Sequence, residues 1–204
     1  MIPKHGRFEA ALVVTTIVYA LAAVMVARCA QATPPPECVD PSPLCAAMLD
    51  RAGRNIVTDI IGGRYTPQPA FAAAECARVE WWARELGVDP ALAIATAWIE
   101  SKFDRRAEST AGARGVMQVM PHYKCPNRSW EGCDGVRAGV ASLGKLTTIY
   151  GRLRGVAAYR AGNSGWRDPD HDFGPARRRL RLAGRIKRTA YVEEEQEQQQ
   201  TEER

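Results

Sequence analysis

Residues 98–121 read WIESKFDRRAESTAGARGVMQVMP, and this stretch decides how the rest is read. Its opening residues close an apolar, Ala-rich run, Ala91 to Ser101, that starts on Asp89-Pro90. Asp followed by Pro is a helix start: an acceptor for the first free N–H groups, then a ring with φ preset for the helix. Glu100 therefore stands near the C-terminal end of an apolar helix, with Ala93, Thr96 and Ala97 one turn back. Desolvation and the negative end of a helix dipole both favour a carboxyl that keeps its proton, as a general acid requires. The plain alternative is a helix-end carboxylate paired with Lys102 or Arg105. Gly112 and Gly115 then mark tight backbone in a polar loop, and Met117 and Met120 flank Gln118. As packing, these are core filler and a capping amide. As a site, they are a cleft wall with an amide to bind sugar or acetamido groups.

Helical periodicity extends on both sides. Residues 44–61 place Leu49, Ala52, Ile56, Val57 and Ile60 on one face and stop at Gly62-Gly63. Residues 70–86 carry a stripe of Ala72, Cys76, Val79, Ala83 and Leu86 and end at Gly87. Residues 136–150 align Val136, Val140, Leu143, Thr147 and Tyr150 before Gly151, and a short helix is expected near 153–161. Gly162, Gly165 and Pro169 mark a loop. Residues 177–188 form a basic helix pattern of Arg177, Arg178, Arg179, Arg181, Arg185, Lys187 and Arg188. No segment alternates with period two, so the class is all-α. No internal repeat is visible.

The chain has 204 residues, 46% hydrophobic and 25% charged, which suits one folded domain and excludes a disordered, collagen-like or polytopic membrane protein. The net charge of +5 hides three parts. Residues 1–32 hold three basic side chains and one acidic. Residues 193–204 hold six Glu and one Arg, which leaves +8 on residues 33–192. A body this basic suits a polyanion: cell-wall polymer, anionic lipid or nucleic acid. The plain reading of the basic helix at 177–188 is a solvated face; the functional one is contact with wall polymer or a membrane surface. The Glu/Gln-rich tail 193–204 is expected to be disordered, or to fold back on the basic helix by charge.

Residues 10–27 are 18 uncharged residues between Lys4 and Arg7 on one side and Arg28 on the other. Ala30-Gln31-Ala32 supplies a small-residue cleavage pattern, and the run is long enough to span a bilayer. Residues 1–32 thus read as an N-terminal hydrophobic helix: a signal peptide, a permanent membrane anchor, or a weak anchor that later leaves the membrane. Each places residues 33–204 outside the cytoplasm, periplasmic or anchored to the inner membrane facing the periplasm. Residues 33–43 contain five Pro and read as an extended linker, so 33–69 is linker plus accessory helix. The six cysteines, Cys29, Cys38, Cys45, Cys76, Cys125 and Cys133, fit an oxidising compartment. Cys125 and Cys133 bracket one short loop, and Cys38 and Cys45 another. Two local disulfides would leave Cys29 free and Cys76 a buried thiol on its helix stripe. With no CxxC and His122 the only nearby His, no metal site is expected.

Several blocks together are more specific than any one of them. Glu100-Ser101-Lys102-Phe103 is followed by Ala107, Ser109, Gly112, Ala113 and Gly115, then by Met117-Gln118-Val119-Met120-Pro121. A second block is Ala158-Tyr159-Arg160-Ala161-Gly162. In order and spacing these resemble the soluble-lytic-transglycosylase (SLT) domain of the goose-type lysozyme-like superfamily: an E-S-x-F opening, A-x-S-x-x-G-A-x-G, M-Q-x-M-P, then A-Y-N-A-G. The resemblance covers residues 70–165, with Tyr191-Val192 echoing a C-terminal Tyr-Val pair. It departs in four places, one being a Cys125–Cys133 loop shorter than the family's usual connection. Arg160 replaces the Asn of the second block, Gly135-Val136 an Asn-Ile pair, and Lys187-Arg188 a Glu-Thr pair.

The resemblance implies a lysozyme-like helical domain at 70–165; the residue pattern beyond it adds a basic C-terminal helix at 166–192 and the tail at 193–204. It implies cleavage of the β-1,4 bond between N-acetylmuramic acid and N-acetylglucosamine in peptidoglycan, with a 1,6-anhydro product. Glu100 would be the single general acid and base, and Ser101, Ser109, Met117, Gln118 and Tyr159 the substrate-binding residues. No cofactor or metal is called for, and nucleic acid is not an expected partner; residues 10–27 would add the membrane if uncleaved. Alternatives are a hydrolytic goose-lysozyme-like muramidase, such as a phage endolysin, and a non-catalytic peptidoglycan-binding module. An inverting hydrolase needs a second carboxylate across the cleft, for which Asp104, Glu108 and Asp134 are the candidates.

Overall fold

The computed structural model describes residues 42–49, 72–168 and 170–202. The hydrophobic segment 10–27, most of the Pro-rich linker and residues 50–61 of the accessory helix lie outside the described residues. Those described are all helical, apart from turns and two isolated bridges, Glu108 with Arg114 and Arg114 with Val119. In chain order the helices are α1 (Pro43–Leu49), α2 (Ala72–Glu85), α3 (Pro90–Ser101), α4 (Pro121–Lys124), a 3₁₀ turn (Pro126–Arg128), α5 (Gly135–Tyr150), α6 (Arg152–Gly165) and α7 (Gly174–Glu202). No helix among them is long and apolar enough to cross a membrane.

The central element is α3. Every residue from Ala91 to Trp98 is buried. A helix apolar on all sides must be wrapped on all sides, and α1, α2 and α7 wrap it. Near its end Trp98 packs against Phe103, which lies just beyond it, with ring centroids 5.8 Å apart. Helices α5 and α6 pack closely. A Cβ on Gly155 of α6 would fall 2.6 Å from the backbone of Leu146 and Thr147, so only glycine allows that approach. The α6 backbone breaks at Gly162, with φ of 75°.

Four expectations are corrected. Cys76 is no free thiol: it is bonded to Cys45, while Cys125 pairs with Cys133 as the loop bracket suggested. The first bond ties α1 to α2 across 31 residues, where the sequence offered a nearer partner, Cys38. Asp89 precedes α3 but its side chain makes no cap hydrogen bond. Its Oδ2 instead takes Arg152 at 2.9 Å and Lys187 at 3.0 Å, joining α3 to α6 and α7. The tail expected to be disordered continues α7 to Glu202. Last, the basic run is not a purely solvated face. Ala176, Arg179, Leu182, Ala183, Ile186 and Ala190 are all buried, at helical spacing, so one arginine of the run lies on the core stripe.

Candidate active site

Helix α3 ends abruptly because Lys102 and Phe103 both take left-handed backbone, φ 56° and 63°. A non-glycine residue in that region is uncommon and two in succession more so, so the surrounding contacts must hold the turn. Phe103, fully buried, is one such contact. The reversal leaves Glu100 on the last turn of α3, its side chain 17% exposed, at the edge of the loop 104–120.

That loop is a hydrogen-bonded scaffold. Arg114 and Val119 exchange backbone bonds of 3.0 and 2.9 Å, Gly115 N–H reaches Ala107 O at 2.8 Å, and Gly112 N–H reaches Ser109 O at 2.9 Å. Three of the expected site residues serve it. Ser101 Oγ donates to Val116 O at 2.8 Å, fastening the loop to α3. Ser109 Oγ accepts from Ala113 N–H at 3.0 Å. Gln118, itself left-handed at φ 45°, donates from Nε2 to Ala107 O at 3.1 Å and Gly115 O at 3.0 Å. Met117 is fully buried, and its carbonyl accepts the Tyr159 hydroxyl at 2.7 Å. Gly139 on α5 makes that contact possible: a Cβ there would come within 2.8 Å of Met117 Cγ and 3.1 Å of the Tyr159 oxygen.

Tyr159 is brought beside Glu100. Burial, and then the Glu100 charge, push its phenol well above the ordinary range, opposed by Arg179. It stays a neutral hydroxyl at physiological pH. The structure thus joins Glu100, Met117 and Tyr159 in one place and uses Ser101, Ser109 and Gln118 to hold the loop in position. Arg160, the departure in the second block, is exposed.

Two further residues belong to this neighbourhood and were missed. Arg179 of α7, its side chain 4% exposed, donates from Nη2 to Glu100 Oε1 at 2.7 Å. The expected partners had been Lys102 or Arg105, neighbours in sequence; Arg179 is 79 residues away. The signal was present in its place on the apolar stripe of α7. Lys124, at the end of α4, sets its ammonium 3.5 Å from the centroid of the Tyr159 ring. Burial pulls this amine down to about 8, against the Glu100 charge, which raises it. No pattern in the sequence marked it.

The three candidate second carboxylates have partners of their own. Asp104 Oδ1 accepts Arg106 N–H at 2.8 Å. Glu108 Oε1 pairs with Arg114 at 3.0 Å. Asp134 caps α5 through Val136 and Arg137 N–H, and also takes Arg78 at 2.7 Å and Trp82 Nε1 at 3.1 Å. Burial alone would raise Asp134, but the hydrogen bond and charge of Arg78 and the two backbone N–H groups hold it below the ordinary carboxylate range.

No group of three or more His, Cys, Asp or Glu side chains gathers as a metal site among the described residues. A concavity of about 460 Å³ bordered by Leu86, Val88, Asp89, Leu92, Lys145 and Arg152 contains none of the expected site residues.

Residues 78–171 match the family model of the transglycosylase SLT domain. No curated protein and no solved structure matches the chain. The match begins inside α2 and ends before α7, so it includes Glu100, the loop and Tyr159 and leaves out Arg179. It agrees with the family that the Glu100 and Tyr159 blocks resemble. That family cleaves glycosidic bonds of peptidoglycan, outside the cytoplasm, and the two disulfides fit an exported protein.

Proposed function

We propose that the protein is a peptidoglycan lytic transglycosylase that cleaves the N-acetylmuramic acid–β-1,4–N-acetylglucosamine bond and leaves a 1,6-anhydro end. The observation that carries this reading is one carboxyl at the edge of the loop 104–120, with none of the candidate second carboxylates paired to it. Glu100 stands half-buried beside Tyr159, while Asp104, Glu108 and Asp134 are each engaged elsewhere. Hydrolytic glycosidases ordinarily use two carboxylates, one of them to activate water or to attack the sugar. An intramolecular reaction needs one.

Glu100 gives its proton to the glycosidic oxygen as the C1–O bond breaks. The muramoyl acetamido group supports the developing cation at C1. The Glu100 carboxylate then takes the proton of the same sugar's C6 hydroxyl as O6 bonds to C1, which restores the acid and consumes no water. Tyr159 and Met117 form the wall behind the carboxyl. Ser101, Ser109 and Gln118 hold the loop in place, and would offer substrate what hydrogen-bonding capacity this leaves. The +8 charge of residues 33–192 favours an anionic wall. Residues 1–32 would deliver the domain across the membrane or tether it there.

Digestion of purified peptidoglycan followed by mass spectrometry tests this reading. Anhydro-muropeptides are expected, and Glu100→Gln should lower their release on the order of 10²–10⁴-fold. Reducing ends in their place would mean a muramidase. Binding to the wall with no cleavage by either protein would mean a binding module.

A further inference from the structure

We infer that Arg179 of α7 is a positioning residue for Glu100, which makes α7 part of the catalytic unit although it lies beyond the family match. The inference rests on the proposed role of Glu100 and adds to it the group that orients and holds that carboxyl.

Arginine is almost never buried without a partner, because an unpaired guanidinium in the interior is strongly unfavourable. Arg179 is buried with one charged partner, Glu100. Its anchorage is strong on both sides. Leu182, Ala183 and Ile186 fix α7 against the core, and Nη1 lies 3.4 Å from Pro175 O on its own helix. The guanidinium therefore has little freedom, and a carboxylate bonded to it inherits that restriction.

The way the fork is used suggests what the contact does. Nη2 holds Oε1, while Nε, on the same edge of the guanidinium, is buried with no hydrogen-bond partner. An arginine edge of this kind can take both oxygens of a carboxylate side by side. In the structure half of the edge is used. The buried Nε is the donor left for the second carboxylate oxygen. The moment at which that matters is after Glu100 has released its proton to the leaving sugar, when full negative charge has appeared on both oxygens. A donor already aimed at that charge, in a site shielded from water, costs no reorganisation when the charge forms. Arg179 thus fixes the direction of the carboxyl before the first proton transfer and holds its anion between the first and the second. It touches neither sugar, so substrate binding should not depend on it.

The test uses the full chain acting on purified peptidoglycan, with anhydro-muropeptide release followed at several substrate concentrations. Arg179→Met is expected to lower kcat on the order of 10²-fold, the scale seen when one preorganised donor is removed, with KM changed by less than about threefold. Arg179→Lys restores the charge without the fork and should recover part of the loss. In the Glu100→Gln background, Arg179→Met should remove nothing further, because two residues that act as a unit are not additive. Thermal melting checks that each variant is folded, and Arg179→Gln replaces Arg179→Met if the latter is not. A folded variant lacking the cation that turns over at the wild-type rate overturns the inference and leaves the Glu100 reading standing. A faster one does the same, and identifies the ion pair as a brake on the acid. Full activity of Glu100→Gln overturns both.

Discussion

The loop 104–120 and helix α7 meet at Glu100, and they are built on opposite principles. The loop has almost no regular structure and is held by named hydrogen bonds, from Ser101, Gln118 and its own backbone. Helix α7 is 29 residues of regular backbone, held by a periodic apolar stripe with one charge in it. The loop lies within the family match and α7 outside it. Specific polar bonding allows an irregular shape but ties each residue type to its place. Repetitive apolar packing ties a helix to the core by residue type and spacing, and the one residue that breaks the pattern, Arg179, makes a specific polar contact.

The sharpest way to break this comparison is to remove a packing residue from α7. Leu182→Ala, at a fully buried position, should cost about 2–5 kcal/mol in denaturant unfolding, while Arg181→Ala on the exposed side stays within about 0.5 kcal/mol. Equal effects would mean that α7 does not belong to the core. On the loop side the largest effect should come from below it. Gly139→Ala presses into Met117 and Tyr159 and should destabilise by about 1–3 kcal/mol, with activity falling even where the protein remains folded. Tyr159→Phe keeps the ring and loses the bond to Met117 O, about 1 kcal/mol.

A pH titration sharpens the comparison at the point between the two regions. Lys124 has its amine lowered to about 8 by burial, so amine acylation at this residue should show a midpoint near pH 8. The sign for stability follows. The buried cation is a penalty on the folded state below about pH 8, relieved as pH rises from there to the ordinary 10.5 of a free lysine. Wild type should therefore gain stability relative to Lys124→Met across that window. The Glu100 charge opposes the shift, so Glu100→Gln should move the midpoint lower still. The smallest effect is at the loop surface. Arg114→Ala breaks an ion pair whose side chains are 53% and 54% exposed, and should cost under about 1 kcal/mol, vanishing in high salt.

The sequence made the local part of this structure legible. Helix ends at Gly87 and Gly151 and the start at Pro90 follow from residues that act on their immediate neighbours. So did the Cys125–Cys133 bond, with a separation of 8. What stayed hidden was set at long range. Cys76 found Cys45, Asp89 found Arg152 and Lys187, and Glu100 found Arg179. Each of these is a choice among several chemically equivalent partners, and only the packing of helices decides it. Arg179 was half visible, since its apolar-stripe position could be counted while its partner could not. The tail misled for a different reason. Its composition favours disorder in isolation, but it extends a helix already nucleated and docked upstream, and extending a helix is far easier than starting one.

The unbroken course of α7 to Glu202 bears on how the molecule meets a charged surface. At about 1.5 Å per residue the helix is about 44 Å long. A rod does not bend back on itself, so the acidic end is kept from neutralising the basic run that precedes it. Along α7 the basic run 177–188 and the Glu-rich end to Glu202 are opposite poles held apart. In the field of a polyanionic wall such an object feels a torque as well as an attraction. The basic run would lead and the acidic end trail, so the helix would be turned before contact forms.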